Sequence, residues 1–100
     1  MEDEKLLGYI LNKAHPVGRH HAVLFDKLLG IGVVNAHLLR RALQSAARDC
    51  DVSRVRKAPH GEKYEMSFEI EGPGGRRTIR AVWIRESGKD RARLVTCFVE

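Results

Sequence analysis

The chain has 100 residues, 43% hydrophobic and 31% charged, a balance that suits one globular domain and excludes a disordered chain. Three of its first four residues are acidic, whereas a secretory signal begins with positive charge, so we expect no such signal. No apolar run approaches the roughly 20 residues that a membrane-spanning helix needs. Two cysteines are too few for a disulfide framework. A formal net charge of +5 favours a polyanionic partner, nucleic acid above all, and we expect a cytoplasmic protein that does not bind membranes.

The first half of the chain has the apolar spacing of amphipathic helices. Leucine and isoleucine recur at helical intervals near the start, which predicts a helix over about 3–13. A second apolar stripe predicts a helix over about 19–29, and Gly30 supplies its stop. Asn35 is a suitable N-cap for a third helix over about 36–48.

After Cys50 the apolar period changes from 3.6 to 2, the period of half-buried strands. Short glycine-containing turns separate these strands and make neighbours antiparallel. We expect strands, in chain order, over about 64–71, 78–85 and 93–99, with an added edge strand at about 52–57. The sequence therefore predicts one α+β domain over 1–100: about three N-terminal helices, within about 3–49, packed on a three- to four-stranded antiparallel meander sheet, within about 51–99.

Positive charge is concentrated in the C-terminal half of the chain. Residues 76–93 contain seven Lys and Arg but only two acids. Lys63, Arg80 and Arg85 lie on strands, where such residues are either surface charges or phosphate-binding groups. Trp83 is either a core residue or a platform on which a base stacks.

The last predicted strand contains a hydroxyl among apolar residues. Strict alternation places Thr96 on one face with Leu94 and Phe98. The Thr96 hydroxyl either bonds a neighbouring carbonyl or positions a phosphate. Cys50 and Cys97 are interpreted as small, half-buried apolar residues.

Imidazoles and a guanidinium cluster before the second predicted helix, in His15-Pro16-Val17-Gly18-Arg19-His20-His21. A helix N-terminus offers free N–H groups and a partial positive charge, which attract phosphate and keep a nearby histidine neutral. His15 or His21 is therefore a candidate base for RNA cleavage, and Arg19 a candidate phosphate ligand. Alternatively, His15 caps or packs in the turn, and one of the adjacent His20 and His21 faces solvent. We expect no metal and no cofactor, since no ligand spacing and no phosphate-cradling loop before a helix is present.

Short motifs extend across nearly the whole chain from Leu6 onward. They are Leu11-Asn12 with His15-Pro16-x-Gly18, Ala22-x-x-Phe25 with Leu29-Gly30, Gly61-x-Lys63-Tyr64, Gly72-Pro73-x-Gly75-Arg76, Val82-Trp83 and Leu94-Val95-Thr96. In this order and spacing, the sequence resembles an uncharacterised bacterial domain family that occurs alone and at the C-termini of larger, toxin-like proteins. That family is similar in turn to the small metal-independent ribonuclease toxins, which include barnase, the EndoU nucleases, the colicin tRNases and RelE.

The resemblance implies N-terminal helices on a four-stranded antiparallel sheet, with an active site on the exposed sheet face to which the helical region and the last strands contribute. The residues to which it assigns a role are His15, Lys63, Trp83 and Thr96. The chain departs from the family pattern at His21, where a lysine is usual, and at its end, where it has Cys97-Phe98-Val99-Glu100 instead of an aromatic residue followed by proline. His21 can still act as an acid or a base.

Three functions are compatible with these features. The first is a metal-independent ribonuclease, a toxin component, that uses a base, a cation at the phosphorane and a hydroxyl at a phosphate. Its predicted catalytic residues are His15, His21, Lys63 and Thr96, and its predicted substrate-binding residues are Arg19, Arg80, Trp83 and Arg85. The second function is a non-catalytic module that binds RNA or a protein partner, such as a cognate acidic antitoxin or immunity protein. The third is an accessory domain whose basic surface aids solubility.

Overall fold

Helices form the first half of the molecule and one sheet forms the second, which confirms the predicted α+β class. The computed structural model describes residues 6–16, 18–49 and 52–100. Cys50 and the predicted start of the first helix at about residue 3 lie outside the described residues. Within the described ranges, no helix has the length and apolar character needed to cross a bilayer.

Three helical segments precede the sheet in the described ranges of the chain. They are α1 (Leu6–Ile10, a π-type turn), α2 (Arg19–Leu24, continued by a π-type turn at Phe25–Leu29) and α3 (His37–Asp49), with a 3₁₀ turn at Val33–Asn35 before α3. The predicted second and third helices are confirmed to within one residue at each end. Gly30 ends the second one with a φ of +67°, a left-handed conformation that glycine adopts at low cost.

The N-cap prediction for Asn35 is wrong. Its side-chain oxygen accepts a hydrogen bond from the N–H of Gly32 at 2.8 Å, and its amide donates to the carbonyl of Gly30 at 2.9 Å. Asn35 is the last residue of the 3₁₀ turn, and α3 begins at His37. Because this short turn stands directly before α3, the Asn35 side chain turns back and stabilises the loop after α2 instead.

The sheet is an antiparallel meander in which each strand pairs with the next. Its strands are β1 (Arg54–Ala58), β2 (Gly61–Gly72), β3 (Gly75–Glu86) and β4 (Arg93–Val99). The edge strand predicted at 52–57 is confirmed as β1. The pair Gly72↔Gly75 closes the predicted hairpin between β2 and β3.

One face of the sheet packs against the helices. Its buried side chains are Met66, Ile70, Ile79, Ala81, Trp83, Leu94, Cys97 and Val99. The fully buried helix-region side chains that meet them in one core include Phe25, Leu29, Leu39 and Leu43. Each large apolar side chain buried in this way contributes roughly 1.5–3 kcal/mol. Every buried strand residue lies on this face, so the opposite face, here called the open sheet face, carries only half-buried and exposed side chains.

A β-bulge in β4 changes the predicted alternation. Leu94 pairs with Trp83. The next pair along the strands is Thr96 with Val82, which leaves Val95 as an extra residue. Leu94 therefore lies on the helix-covered face, whereas Thr96 lies on the open sheet face. The expectation that these two residues share a face is wrong, because strict period-2 alternation does not continue through the bulge.

Candidate functional site

The open sheet face is a grid of side chains on β2, β3 and β4. Cross-strand neighbours lie on the same face about 5 Å apart, so the register defines the rows of the grid. The rows are Lys63–Ile84–Arg93, Glu65–Val82–Thr96 and Ser67–Arg80–Phe98. The structure thus brings three of the predicted site residues, Lys63, Arg80 and Thr96, onto one surface.

Ion pairs organise the centre of this face. The Glu65 side chain is only 14% exposed, and its carboxylate meets Arg80 Nη1 at 3.3 Å and Arg56 Nε, from β1, at 3.5 Å. Arg80 Nε donates a hydrogen bond to the Glu100 carboxylate at 2.7 Å. Ser67 Oγ donates to the same carboxylate oxygen at 2.9 Å. The open sheet face therefore presents paired hydrogen-bond donors that already hold an anionic group.

The contact between Arg80 and Glu100 favours the charged form of each group. The hydrogen bond to Glu100 raises the pKa of Arg80 above its usual range. The same bond lowers the pKa of Glu100, and the hydrogen bond from Ser67 lowers it further. Both side chains remain partly exposed, so solvent screens the pair and a competing anion can displace the carboxylate.

His21 stands at the rim of the open sheet face. Its ring packs on Phe98 with 5.5 Å between ring centres, where α2 contacts β4. Phe98 is the cross-strand neighbour of Arg80, so the imidazole lies beside the third row of the grid. The Nδ1 atom of His21 is buried and has no hydrogen-bond partner within the described structure. The imidazole is thus close enough to the open sheet face to act there, and the acid or base role of His21 stays a prediction.

His15 is held in the turn before α2. Its Nδ1 accepts a hydrogen bond from the N–H of Gly18 at 3.0 Å, and its ring meets Tyr9 edge-on with 4.8 Å between centres. These contacts agree with the interpretation of His15 as a packed turn residue, and its catalytic role stays a prediction. Arg19, the first residue of α2, is exposed beside this turn.

Trp83 and Arg85 do not belong to the open sheet face. The resemblance gives Trp83 a role at the site, but the register puts it opposite Tyr64 and Leu94 on the helix-covered face, where it is 7% exposed. A base bound on the open sheet face therefore does not reach it. Arg85 points to the same side of the sheet as Trp83 but is exposed, and it pairs with Glu62 at 3.7 Å.

Sequence reasoning missed Glu65 and Arg56. The alternation in β2 already placed Glu65 on the polar face of a predicted strand, which was the available signal. Its two arginine partners come from different strands, so the pairing depends on register, and a single strand pattern does not reveal it. In the described part of the chain, no group of three or more His, Cys, Asp or Glu side chains is placed to hold a metal ion.

Comparison with known proteins places the chain by fold and by family. No curated protein matches it. A solved structure, the contact-dependent growth inhibition toxin–immunity protein complex from Klebsiella pneumoniae 342, contains a chain with a TM-score of 0.77 at 17% identity, and the match covers 99% of this chain and 97% of that chain. At this identity the match shows a shared fold. The sequence profile of DUF6883, a domain of unknown function, matches residues 1–100, and the chain therefore belongs to this family.

Proposed function

We propose that the chain is the ribonuclease domain of a toxin and that it cleaves RNA, without a metal ion, on the open sheet face. The observation that carries the proposal is the Glu65 carboxylate, largely shielded from solvent and held between Arg56 and Arg80 at the centre of that face. The fold that the chain shares with part of a toxin–immunity complex supports the toxin assignment.

Metal-independent cleavage of RNA needs three kinds of group around one phosphodiester. A base removes the proton of the 2′-hydroxyl, an acid protonates the leaving 5′-oxygen, and cations stabilise the phosphorane between these steps. Glu65 and His21 are the proton-transfer groups of this proposal. Lys63 and Arg80 supply the positive charge, and the Thr96 hydroxyl donates to a phosphate oxygen.

The middle row of the grid supplies a floor for the phosphodiester. Glu65 and Thr96 flank Val82 on its two sides, so their Cα atoms lie about 10 Å apart. Val82 is half-buried, which leaves a shallow surface with a carboxylate on one side and a hydroxyl on the other. Lys63 and Arg80 belong to the rows on either side of this floor, so positive charge borders it in both directions along the strands.

The test is incubation of the purified protein with total tRNA in EDTA. We expect cleavage by the wild type, a loss of at least about 100-fold in rate for Glu65→Gln, and a smaller loss for the near-isosteric Thr96→Val. Arg41→Gln, at an exposed position of α3 away from the sheet, is the matched control and should cleave as the wild type does. Circular dichroism melts establish that each variant is folded.

Two results would count against the proposal. Intact tRNA at high protein concentration would argue against any ribonuclease activity. Cleavage that is unchanged in Glu65→Gln and in a His21→Ala variant would place the activity elsewhere than on the open sheet face.

Binding of a protein partner is the second candidate function. The specific observation is that the structural neighbour was solved as a complex of a toxin with its immunity protein. An acidic antitoxin or immunity protein would meet complementary charge on the basic strands of this chain, because residues 76–93 carry seven cations and two acids. Such a partner is compatible with ribonuclease activity, since a toxin needs an inhibitor in the cell that makes it.

A further inference from the structure

A cleft of about 980 Å³ opens on the side of the molecule away from the open sheet face. It lies between the C-terminal half of α3 and the helix-covered face of the sheet. Its apolar walls are formed by Ala47, Val52, Met66 and Leu94. The volume lies at the upper end of the roughly 300–1,000 Å³ that is typical of sites for small molecules.

Tyr64 and Trp83 bring two aromatic side chains to this cleft. Trp83 is more than nine-tenths buried and its Nε1 atom is shielded from solvent, so the indole contributes part of an apolar wall and no accessible hydrogen-bond donor. Tyr64 is half-buried and is the cross-strand neighbour of Trp83. Aromatic surfaces of this kind pack well against a nucleobase.

The charges around the cleft select an anion. Arg48, in the last turn of α3, and Arg91, in the turn between β3 and β4, both line it. Arg93 lines it as well but is paired with Glu86, with 2.7 Å between Nε and the carboxylate oxygen. Among the described lining residues there is no Asp or Glu. Guanidinium forks bind phosphate in a bidentate manner, which makes a phosphorylated ligand the best match.

We propose that this cleft binds a nucleoside monophosphate. The flat base packs between the apolar walls against Tyr64 and Trp83, and Arg48 and Arg91 bind the phosphate. The site is independent of the proposed cleavage site, because Trp83 and Glu65 point to opposite faces of the sheet.

The test uses adenosine 5′-monophosphate as the probe and NMR of the full chain as the readout. The protein has one tryptophan, so its single indole N–H resonance reports on Trp83 directly. We expect a saturable shift of that resonance on addition of the probe, because the bound base lies against Trp83. Arg48→Gln and Arg91→Gln should each weaken binding about tenfold, as expected for the loss of one charged hydrogen bond. Arg41→Gln, on the same helix as Arg48 but outside the cleft, should bind as the wild type does.

Two further ligands make the result specific. Adenosine, which lacks the phosphate, should bind at least about tenfold more weakly than the monophosphate. Inorganic phosphate should leave the indole resonance in place. No saturable shift at millimolar nucleotide, or a shift produced equally by inorganic phosphate, would overturn the proposal. Glu65→Gln should retain full nucleotide binding, so failure of this site and failure of the cleavage site are told apart.

Discussion

At the scale of single residues, Cys97 shows how the core sets the chemistry of a side chain. It is 1% exposed among core residues, and burial raises the pKa of its thiol from an ordinary value of about 8.5 to about 12. Because the thiolate is the reactive form of cysteine, this thiol is inert at neutral pH. The interpretation of Cys97 as a small apolar residue therefore agrees with its surroundings, whereas Cys50 lies outside the described residues.

The raised pKa of Cys97 predicts a loss of stability in alkaline solution. Between about pH 8.5 and pH 12 the folded state keeps a proton that the unfolded state releases, so the free energy of unfolding falls as pH rises, by up to about 1.4 kcal/mol per pH unit. Urea denaturation of the wild type and of Cys97→Ala across this range measures the effect. At neutral pH, Cys97→Ala should have a lower free energy of unfolding than the wild type, because the substitution creates a cavity. As pH rises, however, its free energy of unfolding should fall less steeply than that of the wild type. An equal fall of the free energy of unfolding with pH in the two proteins would contradict the raised pKa of the buried thiol.

Glu100 occupies donors that RNA would use in the proposed function. Glu100→Gln removes the negative charge that holds Arg80 and Ser67, so RNA should bind roughly three- to tenfold more tightly. Fluorescence anisotropy with a labelled, non-cleavable oligonucleotide measures the affinity. Glu69→Gln removes the same charge from an exposed position of β2, where the carboxylate lies 3.7 Å from Arg76, and controls for general electrostatics. An equal gain in RNA affinity for both variants would show that Arg80 and Ser67 do not contact the RNA in particular.

At the scale of elements, the hairpin between β2 and β3 docks on the end of the second helix. The N–H of Gly74 donates a hydrogen bond to the Leu29 carbonyl at 2.9 Å. A Cβ placed on Gly72 would lie 2.3 Å from that same carbonyl oxygen, a distance that forces the backbone apart. The glycines of this turn thus serve two purposes, since they allow a tight reversal and a close contact between helix and sheet.

This close contact makes Gly72 sensitive to substitution. Gly72→Ala should lower the free energy of unfolding by about 1–3 kcal/mol, a typical cost of overpacking, and Tm by about 4–8 °C for each kcal/mol. Gly32→Ala is the matched control, because a Cβ there meets no atom within 4 Å and the backbone is extended with φ of −142°. Thermal denaturation should show the control unchanged or slightly more stable. Equal stability of Gly72→Ala and the wild type would mean that the hairpin can shift away from the end of the second helix without a cost in free energy.

At the scale of the whole molecule, the sheet divides the protein into two chemically different sides. The helix-covered side holds the apolar core and the cleft beside Trp83. The open sheet face holds acids mainly on β2, where Glu65 and Glu69 lie, and cations on several strands, with Arg80 on β3 and Arg54 and Arg56 at the β1 edge. Cations from β1, β2 and β3 thus lie side by side across this face, which suits an extended polyanion.

Binding to this extended surface predicts a steep dependence on salt. The logarithm of RNA affinity should fall with the logarithm of salt concentration with a slope of about −0.7 for each phosphate contacted, so about −2 to −3 for three or four contacts. Lys63→Gln should make the slope shallower by about 0.7, and Arg41→Gln should leave it unchanged. Titrations at several salt concentrations provide both slopes. Binding that is insensitive to salt would favour the protein-partner function over RNA binding.

The sequence by itself determined the elements and their order. Buried side chains recur with the period of the element they belong to, so apolar spacing alone predicted helices at 19–29 and 36–48 and the change to strands after Cys50. Gly30 marked the end of the second helix, and the glycine-rich turn at 72–75 marked the reversal between β2 and β3. Both could be predicted because a turn depends mainly on the backbone geometry of its own residues.

Only the tertiary structure decided which side chains meet. The bulge at Val95 moved Leu94 and Thr96 to opposite faces, which no strict alternation anticipates. Glu65 meets Arg56 and Arg80 through register across three strands, and that register depends on packing against the helices as a whole. Local sequence sets the period of a strand, but contacts between residues distant in the chain set its pairing, and the candidate site is made of such pairings.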